Sequence, residues 1–109
     1  MKILISGIKD EKFYIDTLRK KGHIITSVIM NQDISLLDKY QPEIIILGTC
    51  VNSDNGVDII KDVKNYKQEI KIVVIGNTDA LKEELLLEGA DVFLVKPVSS
   101  EQLLTAVNK

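Results

Sequence analysis

The chain has 109 residues, 45% apolar and 28% charged, with 14 Lys plus Arg against 16 Asp plus Glu for a formal charge of −2. That length can bury one continuous core without a disulfide or metal staple, and the near-balance of charge leaves no basic field for nucleic acid or an anionic membrane surface. The lack of Trp, the single cysteine Cys50 and the absence of any apolar run near the roughly 20 residues that span a bilayer argue against a stacking platform for nucleic acid, a disulfide framework and a membrane helix.

Short apolar runs alternate with amphipathic stretches along the whole chain. Met1 leads almost directly into the first run, so no secretory leader is expected and the protein is expected to be soluble and cytoplasmic. Strands are predicted at Lys2–Ser6, Ile24–Val28, Glu43–Leu47, Lys71–Ile75 and Val92–Val95. Ile44-Ile45-Ile46-Leu47 and Ile72-Val73-Val74-Ile75 are continuous β-branched runs, the pattern of strands covered on both faces in a parallel sheet. Between them lie helices with recognisable start and stop signals. Asp10 is placed to cap the first, which Gly22 ends as a left-handed stop. Asp33 opens the second, closed by Tyr40-Gln41 before Pro42. Asp54 or Asn55 caps the third, with Ile59, Ile60, Val63 and Tyr66 on one face. Thr78 or Asp79 begins the fourth, which ends at Gly89. Ser99 with Gln102 forms a capping box for the last, with Leu103, Leu104 and Val107 facing inward. The order predicts a single α/β domain over residues 1–109, a doubly wound five-stranded parallel sheet in a three-layer α/β/α sandwich.

In such sheets ligands gather at the carboxyl ends of the strands. Those ends read Ser6-Gly7-Ile8, Gly48-Thr49-Cys50, Gly76-Asn77 and Val95-Lys96-Pro97. Pro42-Glu43-Ile44-Ile45-Ile46-Leu47, then Gly56, then Glu88-Gly89-Ala90-Asp91 leading to Phe93-Leu94-Val95-Lys96-Pro97, resembles the response-regulator receiver (CheY-like) family over essentially the whole chain. The resemblance implies a flavodoxin-like (βα)5 fold and a background in two-component phosphorelay signalling. It also implies a reactive corner: an acidic pair that holds Mg2+, an Asp that accepts a phosphoryl group, a Thr or Ser, and a Lys before Pro. Carboxylate oxygens suit the hard cation, which neutralises charge on the transferring group.

Set onto this sequence, the acidic pair falls at Gly7 and Ile8, the acceptor at Gly48 and the hydroxyl at Gly76. Lys96, followed by Pro97, is retained. Neither an aliphatic nor an absent side chain ligates Mg2+ or accepts phosphoryl, so no phosphoacceptor, metal, cofactor or enzymatic activity is expected. The segments Gly7–Gly22 and Gly76–Gly89 are slightly shorter than is usual in the family. Lys96 is read chiefly as a structural lysine paired with a neighbouring carboxylate or with solvent, against a retained anion contact, and the resemblance makes Lys96-Pro97 a candidate cis peptide. The three glycines either leave an open pocket or let neighbours such as Ile8 and Thr49 collapse into it; close packing favours collapse. Neither Gly-x-Gly-x-x-Gly nor a Walker-type loop is present to cradle phosphates. Asp10 and Asp54 are read as helix caps rather than cation ligands, His23 as a surface residue away from the carboxyl edge, and Cys50 as a small apolar residue.

Leu81, Leu85, Leu86 and Leu87 exceed one helical stripe, so at least one should face outward. Receivers use the face of the fourth helix, fifth strand and fifth helix for dimerisation and output, which by resemblance makes these leucines and Phe93 a candidate interaction surface. The expected function is that of a degenerate receiver domain, working by phosphorylation-independent contact with a protein partner or a second copy, with no contact to nucleic acid or membrane. With no effector segment after Lys109 in this sequence, output is expected in another chain or a part beyond it. The alternative is a small-molecule sensor that binds an anion at the glycine-lined edge through Lys96.

Overall fold

A computed structural model describes residues 1–8, 10–28, 35–48 and 53–108, and for 53–58 the backbone alone. Its elements run β1 (Lys2–Ser6), α1 (Glu11–Arg19), β2 (Ile24–Ser27), α2 (Ser35–Tyr40), β3 (Ile44–Gly48), α3 (Ser53–Tyr66), β4 (Lys71–Gly76), α4 (Lys82–Leu87), β5 (Val92–Val95) and α5 (Ser100–Asn108). All strand pairs are parallel, in the order β2-β1-β3-β4-β5. The β-branched runs sit at the centre, where each strand is covered on both faces. Ile45 and Ile72 point one way into the core with Leu4, Leu37, Ile60, Val63 and Leu85 of the α2–α4 side. Ile46 and Val73 point the other way, into the core with Ile3, Tyr14, Leu18, Leu103 and Val107 of the α1 and α5 side. The period-2 geometry of a strand makes one continuous apolar run serve both cores.

Local signals account for several boundaries. Gly22 takes φ +88 and follows α1, with the amide of His23 donating to Leu18 O at 3.3 Å. The capping box forms: Ser99 N donates to Gln102 Oε1 at 2.9 Å and Gln102 N to Ser99 Oγ at 3.1 Å. Gln41 ends α2 with φ +46, its amide donating to Leu37 O at 2.8 Å, directly before Pro42. The Lys96-Pro97 peptide is cis.

Three helix expectations are corrected. α3 begins at Ser53, so Asp54 and Asn55 lie within its first turn rather than before it. α4 begins at Lys82 instead of Thr78 or Asp79. There the Thr78 hydroxyl accepts from Ala80 N at 3.3 Å, a local turn that delays the helix. Tyr66 leaves the buried stripe of α3: its ring is exposed and its hydroxyl donates to Asp38 of α2, which raises the phenol's pKa. The Asp33 cap lies outside the described residues.

A polar staple that no local pattern announces ties the far side of the sheet. Lys64 Nζ donates to Asp91 Oδ2 at 2.9 Å and to Ile70 O at 2.8 Å, and Asp91 Oδ2 also accepts from Ile72 N at 2.8 Å. One carboxylate thereby joins α3, the start of β4 and the turn into β5. Truncating Ile46, wholly buried at the centre of the sheet, is expected to cost about 2–5 kcal/mol as Ile46→Ala, read as a lowered urea midpoint at unchanged slope.

Candidate functional site

The direction of chain winding changes between β1 and β3, so the topological crevice of this sheet opens between their carboxyl ends. Among the described residues, the ends of β1 and β3 meet there backbone to backbone. Gly7 follows β1 with φ +74, a conformation side chains rarely adopt, and lies against Gly48 at the end of β3. A Cβ placed on Gly48 would stand 2.1 Å from Gly7 O, 2.7 Å from Gly7 C and 2.9 Å from Ile8 Cγ1. Ile8 is buried and belongs to the α1–α5 core. The two glycines and Ile8 approach one another closely; Thr49 and Cys50 lie outside the described residues. At the end of β4, Gly76 is buried and its carbonyl accepts from Lys96 N at 2.9 Å, pinning the lysine backbone to the sheet.

The Lys96 side chain reaches across the edge to the β1–α1 turn, where Nζ donates to Asp10 Oδ1 at 2.9 Å. Lys96 is thus paired with a neighbouring carboxylate, as its sequence context suggests. Asp10 does not do what its position before α1 suggests: it stands at the N-cap without a side-chain cap bond. Its carboxylate is taken by the ammonium instead, and that hydrogen bond, above all, lowers the Asp10 pKa. Local reasoning missed this pair because 86 residues separate its members; the only available signal was that both sit at the same sheet edge. The side chains are unequally exposed, 20% for Lys96 and 56% for Asp10. Beside them is a depression of about 420 Å3 lined by Asp10, Phe13, Tyr14, Lys96, Pro97 and Val98.

His23 lies at the start of β2, at the opposite edge, half-buried, and burial lowers its pKa. Among the described residues no group of three or more His, Cys, Asp or Glu is placed to hold a metal ion, and no helix is long and apolar enough to cross a membrane.

The candidate interaction surface needs correction. Leu85 and Phe93 are buried in the α2–α4 core, and Leu81 is partly buried against it. At three consecutive helical positions one leucine must point inward, and Leu85 does. What α4 presents to solvent is Leu87, 87% exposed, with Leu86 at 36%; Val95 of β5 is also exposed.

Residues 9–108 match the response regulator receiver domain family. The chemotaxis protein CheY of Thermotoga maritima is 26% identical over 98 residues, which span 86% of this chain and 82% of that protein. Among solved structures, CheY4 of Vibrio cholerae superposes with a TM-score of 0.82 at 22% identity, over 98% of this chain and 95% of the other. The receiver domain of the sensor histidine kinase PA1611 from Pseudomonas aeruginosa, determined with a magnesium ion in its active-site cleft, gives 0.80 at 17%, over 98% and 93%. NtrX of Brucella abortus, in complex with ADP, gives 0.85 at 16%, over 98% of this chain but only 26% of that one.

Two outcomes are expected from this geometry. Gly48→Ala forces the β1–α1 turn to shift and should cost about 1–3 kcal/mol in chemical denaturation, with Gly48→Asp costing no less. Asp10 has a folded-state pKa below its ordinary 3.8, so its pairing stabilises the fold fully above that value and is lost as pH falls through the depressed one. The stability difference between wild type and Asp10→Asn, read from thermal melts, should hold steady near neutrality and close in acid; exposure of the pair keeps it small.

Proposed function

The chain belongs to the response regulator receiver domain family, and we propose that it works there without phosphorylation, as a fixed protein-interaction module. Domains of this family are signalling modules that act through other proteins. One observation carries the reading: Gly48, at the expected acceptor position, has the Gly7 carbonyl where its Cβ would be, 2.1 Å away. An Asp at this position would need its side chain to occupy space already filled by backbone. Further support comes from Ile8, buried at an expected Mg2+-ligand position, and from Gly76, which offers no hydroxyl. A carboxylate can neither be phosphorylated nor ligate a cation where the chain supplies none, so the electrostatic core of phosphoryl transfer has no anchor.

The lysine that would meet a phosphoryl group is engaged by Asp10 instead. Its ammonium has an anionic neighbour supplied by the chain. In this reading no phosphoryl group switches the corner, and the sheet displays its surface without one. The surface on offer is the outward side of α4, where Leu87 and Leu86 put apolar area into water beside Lys82, Glu83 and Glu84. An apolar ridge rimmed by charge suits a protein partner or a second copy.

Incubation with a small phosphodonor and Mg2+, followed by intact-mass measurement, should leave the mass unchanged; an aspartyl adduct overturns the proposal. Leu87→Glu should abolish partner capture or self-association while moving the unfolding midpoint little, because so exposed a side chain contributes little to the core. Association that persists in Leu87→Glu moves the interaction surface away from α4.

A further inference from the structure

The edge contains a second feature that the closed glycine corner does not use. The depression beside the Asp10–Lys96 pair is lined by that pair and by Phe13, Tyr14, Pro97 and Val98. Phe13 is 42% exposed, its ring meeting the edge of Tyr14 at a centroid distance of 5.2 Å. An aromatic ring half in water beside a proline and a valine is ready-made apolar contact area for a small molecule. The volume, about 420 Å3, falls within the roughly 300–1,000 Å3 of small-ligand sites.

We propose that this depression binds a small organic monocarboxylate with an aromatic or branched apolar body. The ligand carboxylate takes Lys96 from Asp10, and the body lies against Phe13, Pro97 and Val98. The chemistry follows from what is already held there. Lys96 Nζ accommodates a carboxylate oxygen at 2.9 Å, so a ligand carboxylate repeats an existing contact instead of requiring a new one. Among the described lining residues Lys96 is the one cation, which balances one negative charge and leaves a phosphate dianion in excess beside Asp10.

The pair is also built to exchange. Asp10 is more than half exposed, so when displaced its carboxylate returns to water at small cost, whereas Lys96 is mostly covered and its backbone is pinned to β4 through Gly76 O. The anion therefore leaves and the cation stays. Asp10 acts as a competitor tethered to the site, and the affinity of a free carboxylate is set against it. Occupancy would reshape the β1–α1 turn, the same turn whose Gly7 closes the corner against Gly48, giving this receiver a chemical input in place of a phosphoryl group.

The test is an amide-shift titration of the full chain with sodium benzoate, sodium acetate and inorganic phosphate at constant ionic strength. Benzoate should shift Asp10, Phe13, Lys96 and Val98 saturably, and acetate should bind about tenfold more weakly for want of an apolar body. Asp10→Asn should tighten benzoate several-fold, and Lys96→Met should weaken it at least about tenfold. Phe13→Ala, a change at a half-exposed position that leaves the fold intact, should erase the preference for benzoate over acetate. Absence of saturable binding in both wild type and Asp10→Asn, benzoate binding undiminished in Lys96→Met, or phosphate binding as tightly as benzoate would each overturn the proposal. None of these results bears on the phosphodonor test, so the two readings fail separately.

Discussion

The described part of the carboxyl edge is organised by one close approach of backbone to backbone. Gly7 at positive φ and Gly48 at the end of β3 fit against each other only because neither carries a Cβ, and Ile8 seals the contact from the α1 side. In a sheet wound in this order, the gap between the first and third strands is where a ligand crevice ordinarily opens. At the described residues, main chain of β1 and β3 meets there instead. Burial of Ile8 adds apolar contact to the core at that corner, where a buried carboxylate without a cation would be strongly disfavoured.

The same corner explains where the remaining charges go. Lys96, at the edge of the sheet, takes a partner from the β1–α1 turn, where Asp10 lies 2.9 Å from its ammonium. Asp10 gives up its helix-capping role to provide it. An N-cap bond is worth about 1 kcal/mol, and an ion pair with a mostly covered ammonium competes with that. The amino end of α1 is left to its backbone, with Phe13 N donating to Asp10 O at 3.2 Å.

Much of this architecture is legible in the residues. Ile44 to Leu47 and Ile72 to Ile75 announce buried parallel strands because no half-exposed strand tolerates four apolar residues in succession. Gly22 and the Ser99–Gln102 box mark helix ends because their chemistry is local. The glycines at positions 7, 48 and 76 read as an emptied corner from type alone. What escaped were contacts that two distant segments make together. Asp10 had an adequate local reading as a cap and Asp91 had none beyond its place in the Gly89-Ala90-Asp91 motif, yet one serves Lys96 and the other serves Lys64 and Ile72 N. Leu85 looked like a surface candidate because three adjacent leucines cannot be ranked without knowing which side of α4 meets the sheet, and Phe93 because the resemblance places it on the same face. Tyr66 fits the apolar stripe by spacing, but its hydroxyl finds Asp38 across the helix pair, and a phenol is most stable where its polar end has a partner.

The Lys64–Asp91 staple has a consequence for recognition. It secures the turn that follows α4, and Gly89 within that turn packs against Lys64 and Ile60 of α3. Leu86 and Leu87 therefore stand at the firmly held end of their helix, while the Thr78 turn occupies the other. For the α4 surface proposed above, a molecule arriving at those leucines would meet a shape already set before contact. Covering them would lose little ordering entropy, so encounter there would be a matter of rigid fit, with selectivity residing in contour rather than in induced rearrangement.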